Sequence, residues 1–102
     1  MASSTRILIE SRMQDALEGD PGACFDLGIA HSCGARAETD LIEAHKWFDL
    51  AARGGYASAE TFRADIARAL SRRQVAEAKR RSWLASRPHV RQAARFSASA
   101  FA

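Results

Sequence analysis

The 102-residue sequence predicts an all-α domain, a short stack of antiparallel helical hairpins with about five helices. Three observations carry that expectation. Apolar residues recur at helical spacing, and no segment sustains the alternation of a strand. Alanine is abundant while β-branched and aromatic residues are sparse, which favours helices because alanine loses no side-chain entropy on entering one. Glycine, proline and capping residues divide the periodic segments into helix-sized lengths. The chain holds one domain at most, with a modest core.

The first helix is expected over 5–18, with Ile7, Leu8, Met13, Ala16 and Leu17 forming its stripe. Gly19-Asp20-Pro21 ends it and begins the next. Glycine suits the position past a C-terminus, Asp20 can cap, and proline fits the first helical turn. A second helix then runs from Pro21 to about Ser32, followed by a bend at Cys33-Gly34-Ala35. Asp40, with Glu43 three residues on, reads as a capping-box start, aspartate standing in for the usual serine or threonine. The third helix carries Leu41, Ala44, Trp47, Phe48, Ala51 and Ala52 on a broad inner face. Glu43, Lys46, Asp49 and Arg53 fall on an outer, solvated face, where Asp49 and Arg53 are spaced to pair. Gly54-Gly55 closes this helix, making 21–54 one hairpin.

A fourth helix, from about Ala57 to Leu70, is expected to bury Ala59, Phe62, Ile66 and Ala69. Ser71 and Gln74 form a capping box for a fifth, which runs to about Ala85 with Val75, Ala78 and Ser82 beside Ala76 and Trp83. Residues 57–85 thus make a second hairpin. Pro88 breaks the pattern, and 87–102 reads as a basic, flexible tail outside the 1–86 helical domain.

Residues 23–59 resemble one Sel1-like repeat, a relative of the tetratricopeptide helical hairpin. The resemblance rests on Ala23, Leu27, Gly28, Gly34, Asp40, Ala44, Trp47, Ala51, Ala52, Gly55 and Ala59 at the family's spacings. It departs at His31, Arg36 and Ala37, where the family favours tyrosine, glycine and valine. The segment from Gln74 through Trp83 is similar to the terminal helices that close small bacterial members. The resemblance implies that Gly28 lets the hairpin's helices approach closely, that the alanines keep the second helix slim, and that Trp47 fills the space between neighbouring hairpins. It implies scaffold or adaptor roles and no substrate. Three or more such repeats are usually needed for independent stability, so the flanking helices are expected to cap the stack, or the domain to lean on a partner or a second copy.

Charge is divided along the chain. Residues 1–62 carry five basic and ten acidic side chains, whereas residues 63–102 carry ten basic and two acidic. Arg72, Arg73, Lys79, Arg80, Arg81, Arg87, Arg91 and Arg95 concentrate the positive charge, the last three recurring every fourth residue. Such a stripe can remain solvated, dock on the acidic half of this chain or of a second copy, hold an acidic protein, or contact nucleic acid or anionic lipid through phosphate. Phe25 and Ile29 form a second apolar stripe on the second helix. Either Ile7, Leu8 and Met13 cover it, or part of it lines a groove for a peptide or helix.

Cys24, His31, Cys33 and His45 invite a zinc reading, but their spacing lacks the paired short intervals of finger-type sites. Buried cysteine is also an ordinary small apolar residue, so no metal and no other cofactor is expected. No glycine-rich phosphate loop, nucleophile elbow or H-E-x-x-H pattern occurs, and the chain is not expected to be an enzyme. The opening residues do not have the pattern of a secretory signal and no run is apolar enough to span a bilayer, so a cytoplasmic location with reduced cysteines is expected. The leading expectation is a protein–protein interaction module, an adaptor or assembly subunit, using a helical groove and a basic flank. The alternative is a nucleic-acid-associated protein working through its arginines.

Overall fold

The computed structural model describes residues 2–33 and 38–86, and places α1 at Ala2–Leu17, α2 at Pro21–Cys33, α3 at Glu38–Arg53, α4 at Ala59–Arg68 and α5 at Arg72–Ser86. There is no strand among the described residues, and the fold is all-α as expected. None of these helices is long and apolar enough to cross a membrane.

Two of the turns are the same device. Gly19 and Gly55 have φ of 94° and 96°. After α1, Gly19 N–H donates to Ala16 C=O at 3.0 Å and Asp20 N–H to Asp15 C=O at 3.0 Å. After α3, Gly55 N–H reaches Ala52 C=O at 3.1 Å and Tyr56 N–H reaches Ala51 C=O at 3.0 Å. Both are Schellman closures, in which a left-handed glycine satisfies the carbonyls a helix end leaves unpaired. The capping box of α5 is also formed: Ser71 N–H donates to Gln74 Oε1 at 2.8 Å, and Gln74 N–H to Ser71 Oγ at 3.1 Å. At α3 the capping expectation is corrected, because the helix starts at Glu38 and Asp40 already lies within its first turn.

The helices pack in a chain of neighbours: α1 on α2, α2 on α3, and α3 on both α4 and α5. Contact positions give their directions. Arg12 meets Asp26 and Cys24 Sγ lies 3.7 Å from Ala16 C=O, so α1 and α2 are antiparallel. Gly54 lies against Pro21 and Gly28 against Phe48, so α2 and α3 are antiparallel too. Glu43 meets Arg81 while Asp49 meets Ser82 and Arg53 meets Ser86, so α5 runs parallel to α3. The core joins Ala16, Ala23, Cys24, Leu27, Trp47, Ala51 and Ala59. Its small residues allow close helix approach; a Cβ on Gly28 would lie 2.6 Å from the Phe48 ring.

Several face assignments shift. On α1 the inward stripe is Ile9, Met13 and Ala16, whereas Ile7 and Leu17 are 64% and 58% exposed. On α4 only Ala59 is fully buried; Phe62 is 39% exposed and Ala69 is exposed. On α5, Ala78 and Ser82 are buried but Trp83 points outward, 52% exposed. In each case the period is helical as expected, but the phase differs, because the apolar count on each helix is too low for the pattern alone to fix which side faces inward.

Candidate partner-binding surfaces

Asp49 is the largest departure from the solvated outer face expected for α3. It is 3% exposed and is the point on which α4 and α5 converge. Ser82 Oγ donates to Asp49 Oδ2 at 2.6 Å, Arg63 Nη1 to Oδ1 at 2.6 Å, and Arg53 Nε lies 3.2 Å from Oδ2. Burial alone would push this carboxyl up, but the hydrogen bonds from Ser82 and Arg63 and the charges of Arg53 and Arg63 outweigh it and hold it below the usual carboxylate range. Arg63 also pairs with Glu60. One turn before Asp49, His45 is buried and its pKa is lowered: burial disfavours the charged ring more than the Asp49 charge favours it.

Glu43, also assigned to the solvated face, is half-buried and accepts a hydrogen bond from Arg81 Nη1 at 2.8 Å. Arg81 Nε reaches Glu77 at 2.9 Å, and Arg80 grips the same carboxylate with Nε at 2.9 Å and Nη2 at 2.8 Å. Hydrogen bonds from Arg80 and then Arg81 push the Glu77 carboxyl down to about 2. The basic segment therefore splits. Arg81 serves as a clasp between α5 and α3, Arg80 is exposed but ion-paired, and Arg72 and Arg73 are exposed. Arg87, Arg91 and Arg95, with the rest of the basic tail, lie outside the described residues, as does Gly34 of the repeat pattern.

Phe25 and Ile29 are half-buried. Phe25 packs among other aromatic side chains. Its ring stacks on Tyr56 at 4.5 Å between centroids, meets Phe62 edge-on at 5.2 Å and tilts against Phe48 at 5.5 Å. This cluster gathers aromatics from α2, α3, the following turn and α4, with Tyr56 and Phe62 at its open rim, 37% and 39% exposed. Aromatic pairs of this geometry add directional attraction to simple burial.

A cleft of about 470 Å³ opens on the other side of α3. Trp47 and Leu50 floor it, Ala16, Leu17 and Cys24 form one wall, and Ala85 and Ser86 the other. Lys46 and Arg53 stand at its edge; Lys46 Nζ sits 4.2 Å over the Trp47 ring, and Arg53 donates to Ser86 Oγ at 3.3 Å. Trp47 is 3% exposed, and its indole nitrogen has no hydrogen-bond partner among the described residues. The ends of α1 and α5 leave the space beside Trp47 partly open. Leu17, Leu50 and Ala85 were not singled out as site residues, and only their adjacency across three helices identifies them.

Neither Cys24, buried, nor Cys33, exposed, forms a disulfide among the described residues. Among the described residues no group of three or more histidine, cysteine or acidic side chains could hold a metal ion. The half-buried ring of His31 has its pKa lowered by burial, with the Glu43 and Asp40 charges opposing. Compared with protein-family models, with curated proteins and with solved structures, the chain matches none of them.

Proposed function

We propose that this domain is a protein-interaction module that receives an apolar side chain or helix ridge of a partner protein in the cleft between α1 and α5. The cleft itself carries the reading. It is mostly apolar, lined by the nearly buried Trp47 and by Leu50, and lipped by the 58% exposed Leu17. Concave apolar sites with a few polar groups at the edge are where proteins bind ligands and partner segments. The Sel1-like resemblance of residues 23–59 supports the same reading through its scaffold and adaptor roles.

A second reading, phosphate binding by the arginine-rich segment, retains Arg72, Arg73 and Lys79 as exposed cations. It is weakened by the engagement of Arg80 and Arg81 with Glu77 and Glu43. Counterion release would make such binding fall steeply with salt.

The test is a photocrosslinking residue at position 17, on the cleft lip. A discrete adduct with another protein is expected, and Leu50→Glu should remove it by placing a charge on the apolar floor, while leaving the helical circular dichroism unchanged. An adduct indifferent to Leu50→Glu would overturn the cleft as the binding site.

A further inference from the structure

The outermost helices in the chain of neighbours α1–α2–α3–α5 each turn one face away from the core. On α1, the exposed residues Ile7, Glu10, Gln14 and Leu17 recur at intervals of three, four and three, with Glu18 beside Leu17. On α5, the exposed residues Arg73, Ala76, Arg80 and Trp83 recur at the same intervals, with Leu84 beside Trp83. Residues so spaced share one stripe of a helix, and this is the spacing with which helices form seams against other helices. The core-facing residues lie elsewhere: Ile9, Met13 and Ala16 flank the stripe on α1, and Ala78 and Ser82 lie nearly opposite it on α5.

The outer faces of helical stacks are ordinarily polar where the stack ends. These two are not. Ile7 and Leu17 are 64% and 58% exposed on α1; Trp83 and Leu84 are 52% and 36% exposed on α5. Around those apolar residues the charges are opposite in sign: Glu10 and Glu18 on the α1 stripe, Arg73 and Arg80 on the α5 stripe, Arg80 being also ion-paired to Glu77 on its own helix. The two stripes therefore carry opposite signs of charge. Both repel a copy of themselves and attract a copy of the other.

We propose that the chain associates with itself head to tail, the outer stripe of α5 in one copy seating on the outer stripe of α1 in the next. Because the two surfaces differ, the contact is heterologous. Unless its rotation closes a ring, it continues as an open filament rather than stopping at a dimer. The stripes are short, so the contact belongs to the weak, concentration-dependent class. It uses faces other than the cleft floor and does not depend on the cleft reading.

Sedimentation velocity on the full chain tests it. Species larger than a dimer are expected to grow with protein concentration, and to recede in about 1 M salt, where the screening length falls to about 3 Å. Trp83→Glu blocks the α5 face and Ile7→Lys the α1 face, without touching residues that line the cleft. Either variant alone should be monomeric, with association weakened about thirtyfold or more, the scale of a buried interface tryptophan. An equal mixture of the two should form dimers and nothing larger, since each copy keeps one working face. Arg73→Glu, a charge change on an exposed position, should weaken association with the fold intact, as circular dichroism reads. A wild-type chain monomeric at every concentration would overturn the proposal. So would a dimer insensitive to Ile7→Lys, or a mixture that stays monomeric.

Discussion

A methyl group on Gly28 would meet three ring atoms of Phe48 at 2.6 to 2.9 Å, and Phe48 is fully buried. Alanine would ordinarily gain about 1 kcal/mol over glycine inside a helix. Here the steric cost of overpacking, about 1–3 kcal/mol, exceeds that gain. Gly28→Ala is therefore expected to destabilise the domain by about 1 kcal/mol net, read by thermal or chemical denaturation. Phe48→Leu in the same chain should recover part of the loss by removing the ring that the methyl strikes. Gly22→Ala is the control: its Cβ would approach nothing closer than Asp20 Oδ1 at 3.8 Å. No loss of stability is expected there. The close approach at Gly28 was expected through the Sel1-like resemblance of residues 23–59. Which ring it meets was not, because Phe48 is twenty residues away and only the hairpin's register brings the two together.

At the scale of elements, local signals were read better than non-local ones, the Asp40 capping box of α3 being the local exception. The Ser71–Gln74 capping box involves residues three apart, so its geometry is written in the sequence and is formed. Ser71→Ala should cost about 1 kcal/mol and fray the start of α5 first, as amide exchange of the first turn would show. Asp49 misled because an acid at a helical position is normally solvated, and its partners Arg63 and Ser82 lie 14 and 33 residues away. The same junction of α3, α4 and α5 contains His45, whose neighbours are Asp49 on its own helix, Arg63 on α4 and Lys79 on α5. Its pKa lies below 6.5 in the folded chain through burial. The unfolded chain therefore binds the proton first, so stability is full above pH about 6.5 and is lost as pH falls through the lower folded value. Replacing His45 with leucine should flatten the fall in melting temperature between about pH 7 and about pH 5. The half-buried His31 has the same sign and leaves a residual slope, which the double variant should remove.

Across the whole molecule, the division of charge between the two halves does structural work before it meets any partner. Arg81 from the basic half reaches Glu43 in the acidic half at 2.8 Å, and Arg63 reaches Asp49 at 2.6 Å. The sequence showed the imbalance but not its use, since composition cannot say which charges are spent within the fold. The two pairs should differ in weight. Asp49 is nearly dry, whereas the side chains of Glu43 and Arg81 are 28% and 35% exposed, so water and salt weaken their attraction. Glu43→Arg or Arg81→Glu alone should cost about 1 kcal/mol or less, since each places like charges together across α3 and α5. Arg81→Glu also faces Glu77, with which Arg81 pairs at 2.9 Å, so its cost should be the larger of the two. Combining both substitutions restores opposite charges across the gap and should return most of the loss, measured as the coupling in a double-mutant cycle. That coupling should shrink in about 1 M salt, where charges more than about 3 Å apart are screened at the surface. A coupling of zero at low salt would mean that Ser82 on Asp49, with the small residues of the core, holds α5 on α3 without the outer clasp.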